Sequence, residues 1–212
     1  MYNQVHKAVF YMKKHLKIWE ISLLVALCVT LCTGLFAKAE QQKLSGELIR
    51  LHVIANSDSQ SDQSAKLMVR DSVLEVLTPA LENAANINDA EKIINCGLAK
   101  LNSAAELSLL QSGKFYSVRA ELCRENYPTR KYDGFALPAG SYISLKIILG
   151  AGQGHNWWCV VFPPLCMTSA EDEDAFSSLT EESAKLISSD SGEYRLKFRI
   201  VEIYEQLRKA FG

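Results

Sequence analysis

The stretch 48–77, LIRLHVIANSDSQSDQSAKLMVRDSVLEVL, changes its hydrophobic period midway, and that change limits what the chain can fold into. Ile49, Leu51 and Val53 alternate with Arg50 and His52 at the strand period of two. Residues 56–59, Asn-Ser-Asp-Ser, interrupt with side chains that hydrogen-bond nearby backbone and so favour turns and helix caps. From Asp62 the period is helical: Ala65, Val69, Val73, Val76 and Leu77 form one stripe, with Lys66, Arg70 and Asp71 pointing elsewhere. Ser59 followed by Asp62 fits a capping box, with Ser61 as a competing cap. A strand, a polar turn and an amphipathic helix form a unit that needs other strands to pair with.

The following residues supply them. Thr78-Pro79 marks the stop of the first helical pattern, and Asn88 with Glu91 suggests a second capping box. Ile94, Leu98, Leu101, Ala105 and Leu109 then run at helical spacing to Gly113. In 115–124, Tyr116, Val118, Ala120 and Leu122 alternate with polar residues, predicting a strand with one wet face. The span 125–141 holds Pro128, Asp133-Gly134 and Pro138-Ala139-Gly140 and reads as a long loop, a class that often carries function. Residues 143–149 and 157–162 read as strands joined by the glycine turn 150–154. An acidic segment at 170–174, a helix at 181–188 capped by Thr180, a strand at 194–200 and a closing helix at 203–211 complete the pattern. The order predicts an α+β fold: a single exported domain with a largely antiparallel sheet and helices packed on one face.

A hydrophobic leader helix precedes that domain. Lys7, Lys13, Lys14 and Lys17 form a positive region, 21–36 is an apolar run, and Ala37-Lys38-Ala39 offers cleavage before Glu40. A run of about 17 apolar residues also sits at the lower limit for crossing a bilayer, so 1–39 reads as a signal peptide or a signal anchor, with 21–37 as the anchoring segment. Both readings make 40–212 the exported domain. Cys28 and Cys32 each follow Leu, where a lipoprotein signal wants a small residue. The overall charge of −1 hides an asymmetry. Residues 40–212 carry 18 basic and 23 acidic side chains, a net of −5, which argues against nucleic acid as a partner.

Several patterns suggest chemistry and are better explained by structure. GAGQG at 150–154 lacks a dinucleotide fingerprint's spacing and is followed by a strand, so a hairpin turn using glycines for positive φ accounts for it. Asn56, Asp58, Gln60 and Asp62 alternate like a calcium loop, but Ser61 replaces the needed Gly and Leu67 the needed Glu. His155, Cys159 and Cys166 suggest a thiol site or a partial metal site; in an exported protein CVVFPPLC reads more readily as a Cys159–Cys166 disulfide. Trp157 and Trp158 face opposite sides of their strand, so both are buried only if both sheet faces are covered. An exposed member of the pair would be a favoured binding anchor. No catalytic set, metal site or cofactor motif emerges.

Two blocks carry a resemblance. IANSDS followed by DQ, KL, VRD and VL, and LPAGSYISLKIILGAGQGHNWWCVVFPPLC at 137–166, both resemble the stage II sporulation protein R family of endospore-forming bacteria. The resemblance implies a non-enzymatic signal made in the forespore and exported into the space between the forespore and mother-cell membranes. It further implies a protein partner there: a membrane-embedded aspartic protease of the mother cell, which processes the sigma-E precursor. Membrane contact through the leader follows if it stays uncleaved. On this reading the two blocks supply the partner surface, through Asn56, Asp58 and Asp62 at the polar turn and His155, Asn156, Trp157 and Trp158 at the glycine turn. The competing reading is an exported cell-envelope hydrolase using His155 or Cys159.

Overall fold

The computed structural model describes residues 2–132, 135–165, 179–180 and 183, with side chains from residue 17 onward. The chain divides into two units, Met1–Ala39 and Glu40–Gly212. Helix α1 (Tyr2–Ser45) is unbroken, and its part Lys17–Ser45 is long and apolar enough to cross a membrane, a description that a signal sequence also meets. In the first unit Trp19, Leu23, Leu24, Leu27 and Leu31 are all exposed, so the helix is apolar all round, as suits lipid. The hydroxyls of Thr30 and Thr33 bond back to the carbonyls of Ala26 and Val29, which hides them from an apolar surrounding.

The second unit is built on β1 (Ile49–Ile54). It is followed by α2 (Gln60–Leu81), α3 (Ile87–Gln111) and β2 (Val118–Tyr127). The short strands β3 (Arg130–Lys131) and β4 (Ala136–Leu137) come next, then β5 (Gly140–Leu149) and β6 (Asn156–Phe162). The main sheet has the order β2-β5-β1-β6. β1 runs parallel to β5, with Leu51 opposite Leu145, and antiparallel to β6, with His52 opposite Trp158. β2 and β5 are antiparallel, from Val118 opposite Leu149 to Tyr127 opposite Gly140. The sheet is mixed and largely antiparallel, in an α+β fold as the sequence pattern predicts.

Helices α2 and α3 cover one face. Ile49, Leu51, Val53, Leu145 and Ile147 of the sheet meet Ala65, Val69, Val73 and Leu77 of α2, and Ile94, Leu101, Ala105 and Leu109 of α3. Each of these is the apolar stripe of its element, so the hydrophobic effect, about 25 cal/mol per Å² of apolar surface, acts on all of them together. The other face is covered as well, by a second cluster of Leu44, Leu48, Tyr127, Leu137, Tyr142, Val160, Leu165 and Leu179. That cover explains why β1 is buried on both sides, including Arg50 and His52.

Four local expectations are corrected. α2 runs through Pro79 and ends at Leu81: the ring forgoes one bond, to the Glu75 carbonyl, while Leu74, Leu77 and Leu81 bury on the core and the Glu82 amide closes the last turn by donating to Thr78. α3 is capped by Asn86, whose side chain accepts from the Asp89 amide; this earlier frame lets Ile87 pack on the core, which the expected Asn88–Glu91 frame does not. The expected loop 125–141 is largely structured, since β2 and β5 stay paired to their ends and β3 pairs with β4 between them. The glycine turn does not close a hairpin: β5 and β6 do not pair, and 150–155 crosses the end of β1, which lies between them. Gly150 and Gly152 do have positive φ, at 54° and 62°. The Asp133-Gly134 turn, the acidic segment 170–174, the strand 194–200 and the helix 203–211 lie outside the described residues, as does nearly all of the helix 181–188.

Candidate functional site

The polar turn after β1 is held by Asp62. Its carboxylate accepts from Asn56 Nδ2 at 2.8 Å, Ser57 Oγ at 2.6 Å, Lys114 Nζ at 2.6 Å and Tyr116 Oη at 3.3 Å. Asp62 is buried, and the bonds from Lys114, Ser57 and Asn56 hold it well below the usual carboxylate range. Burial and the Asp62 charge together push the Tyr116 hydroxyl up to about 12. Only half of the predicted capping box forms. Ser59 Oγ accepts from the Asp62 amide, but the Ser59 amide donates to Ser57 Oγ, because the Asp62 carboxylate is turned inward to Lys114.

This turn in turn positions the glycine segment. Asn56 Oδ1 accepts from the Ala151 amide at 2.9 Å, and its carbonyl from the Gln153 amide at 3.2 Å. Gly154 donates to Ala55, and a Cβ on Gly154 would lie 2.2 Å from the carbonyl oxygen of Ser57. The glycines are needed for this close approach of two backbones. Asn56 and Asp62, expected at a partner surface, are spent on this internal network. Lys66 is another correction: it is buried and does not point away, donating to Gln63 Oε1 at 2.7 Å and to the His155 carbonyl at 3.0 Å.

The other expected residues gather beside it. Asp58, His155, Asn156 and Trp158 line an open cavity of about 450 Å³, together with Arg130, Gln153 and Gly154. His155 Nδ1 lies 2.5 Å from Asp58 Oδ1, which also accepts from the His155 amide at 2.6 Å. The Arg130 guanidinium carbon stands 3.8 Å from the centre of the Trp158 ring. Nothing in the sequence singles out Arg130 beyond its place in the span 125–141.

The two tryptophans go to opposite faces, and both faces are covered, so each is half-buried. Trp157 packs on the helix side under Arg70, 4.8 Å away, which also pairs with Asp71 at 2.6 Å. Trp158 lies against His52 and Tyr127 on the other side. Cys159 is disulfide-bonded, while Cys28, Cys32, Cys96 and Cys123 are free; Cys166 lies outside the described residues.

Residues 45–172, more than half of the chain, match the family described as Stage II sporulation protein R (spore_II_R). The chain belongs to that family. Stage II sporulation protein R of Bacillus subtilis (strain 168) is 33% identical over 149 residues, 69% of this chain and 66% of that protein. The match thus spans just under two thirds of the relative's length. No solved structure matches.

The region matching the stage II sporulation protein R family also encloses an unusual charged centre. Arg50 is fully buried, with its guanidinium 3.8 Å from the ring centre of Tyr127 and 5.0 Å from that of Tyr142. It donates to Tyr132 Oη at 2.5 Å, while among the described residues its Nε and Nη1 have no hydrogen-bond partner. Burial raises the hydroxyls of Tyr127, Tyr132 and Tyr142, and Arg50 partly opposes this. Nearby, Glu125 bonds His52 Nδ1 at 3.0 Å and Lys146 Nζ at 2.9 Å. Burial pushes Glu125 up, but the bonds from His52, Lys146 and Ser144 outweigh it and bring the carboxyl to about 2. These groups hold the second face together, whereas the cavity beside Trp158 presents charged groups outward in a concave setting.

Proposed function

We propose that this chain is an exported signal of sporulation that switches on a membrane-embedded aspartic protease, which then trims the sigma-E precursor. On this reading it acts between the forespore and mother-cell membranes and carries out no proteolysis itself. Family membership supports the sporulation role. The observation that carries the ligand reading is the convergence of the two sequence-distant blocks at one cavity, where Asp58 of the first pairs with His155 of the second.

A ligand activates only by binding the active state better than the inactive one. A hundredfold preference corresponds to about 2.7 kcal/mol, which a few charge-assisted contacts supply. The helix Lys17–Ser45 fits delivery across a membrane, or anchoring at its surface. The hydrolase reading draws no support from the site, since the Cys159 sulfur is in a disulfide and no Ser, Thr or Cys lines the cavity beside the Asp58–His155 pair among the described residues.

The test is co-expression of this chain, the candidate protease and the sigma-factor precursor in a non-sporulating bacterium, following precursor size on a gel. Shortening that needs all three and survives Cys159→Ala is the expected result. Absence of shortening with well-expressed, exported protein overturns the reading.

A further inference from the structure

Among the described residues Arg130 is a cation without an anion. Its guanidinium rests on Trp158, and among those residues its buried Nε has no hydrogen-bond partner and it makes no ion pair. Two other arginines behave differently: Arg70, also stacked on a tryptophan, is paired with Asp71, and Arg119 with Glu121. Asp58, the one acid lining the cavity, is taken up by the side chain and amide of His155. Of the two charged partners that line the cavity, Asp58 is thus engaged by its neighbour, and Arg130 is the one left with its charge unmatched by a hydrogen-bonded group among the described residues.

A stacked guanidinium is already fixed in place, so little rotamer freedom remains to be lost on binding. Its planar fork matches a carboxylate with two parallel hydrogen bonds. A sugar is disfavoured, because the ring face that would stack on it is covered by Arg130. The volume, about 450 Å³, suits one or a few side chains of a peptide.

We propose that this cavity is a recognition site for an acidic side chain on an extended segment of a partner protein, with Arg130 receiving the carboxylate. It rests on the ligand reading above and names the chemistry that the partner presents. Asn156 and Gln153 at the rim supply amides for the neighbouring backbone of that segment.

The binding test uses the full-length chain in detergent, immobilised and exposed to acetylated, amidated pentapeptide libraries with a fixed central Glu, Gln or phosphoserine. Retention of the Glu library about tenfold above the Gln library is expected, with the preference lost in Arg130→Glu, partly kept in Arg130→Lys and unchanged in the exposed Arg119→Glu. Thermal unfolding checks that the variants are folded, and Arg130→Gln replaces Arg130→Glu if that variant is not. Equal retention of the Glu and Gln libraries by the wild type overturns the proposal. Stronger retention of phosphoserine than Glu also overturns it, assigning the cavity to a phosphate group of lipid or polymer.

The three-component reconstitution is then repeated with Arg130→Glu at equal exported level, where precursor shortening is expected to fall about tenfold or more. Wild-type rates in that variant overturn the cavity's part in signalling. A Glu preference with no shortening by the wild type overturns the protease reading and leaves the recognition site standing.

Discussion

Lys114 stands 2.6 Å from Asp62, 52 residues away in the chain, and ties the end of the α2–α3 pair to the turn that follows β1. The same carboxylate fixes Asn56 and Ser57, and through Asn56 the glycine segment that walls the cavity. Replacing Asp62 with Asn keeps the shape but loses the charge-assisted bonds. A loss of about 1–3 kcal/mol is expected in urea unfolding of the detergent-solubilised chain. An unchanged midpoint would show that the turn holds without it.

The same acid predicts a pH dependence. Asp62 and Glu125 both have folded pKa values below their unfolded ones, Glu125 at about 2. Such groups contribute stability that is present above the unfolded values, about 3.9 and 4.3, and is lost as pH falls through the folded ones. The urea midpoint of the wild type is expected to drop between about pH 4.3 and 2. In the double variant Asp62→Asn, Glu125→Gln the midpoint at pH 7 is lower and the slope below pH 4.3 is flatter. Parallel slopes would mean that other groups govern acid unfolding.

Glycine substitutions separate close approach from helix propensity. A Cβ at Gly154 meets backbone at 2.2 Å, whereas one at Gly97, inside α3, meets nothing within 4 Å. Gly154→Ala is expected to lose about 2 kcal/mol or more, and Gly97→Ala to gain about 1 kcal/mol. Thermal midpoints of the two variants, moving in opposite directions, are the check.

Arg50 makes a prediction of opposite sign to intuition. It is a buried charge with two unsatisfied nitrogens and no carboxylate partner among the described residues, held by tyrosine rings. An apolar side chain of similar length avoids the desolvation cost, so Arg50→Met is expected to be as stable as the wild type, within about 1 kcal/mol, or more stable. Arg50→Ala leaves a hole and is expected to cost about 2–4 kcal/mol. Equal losses in both variants would mean that the cation–ring contacts outweigh desolvation.

The elements and their class were legible because Ile49, Leu51 and Val53, the Ala65 to Leu77 stripe and the Ile94 to Leu109 stripe all bury on one core. Strand order was not legible. Periodicity in β5 and β6 says that each is a strand, but nothing local says that β1 separates them, so a glycine turn between adjacent strands reads as a hairpin. The site was half legible. Asp58, His155, Asn156 and Trp158 do meet at one cavity, but Asn56 and Asp62 resemble them chemically and turn inward. Whether a polar side chain faces out or in depends on partners such as Lys114, far away in sequence. Arg130 was missed for the same reason, since its tryptophan is 28 positions away, a relation that no local pattern encodes.

The placing of β1 between β5 and β6 also sets an order of assembly. A chain made from its N-terminus presents Ile49–Ile54 first among these strands, and Ile143 to Ile148 and Asn156 to Phe162, which flank it, come only after α2, α3 and β2. Until they arrive, a strand that is apolar on one side and carries Arg50 and His52 on the other has both edges open. Sheets closed by such distant pairings fold slowly and stay prone to aggregation while they wait. Any event that removes the chain from β5 onward therefore leaves β1 with no neighbour, and the domain forms as a whole or not at all.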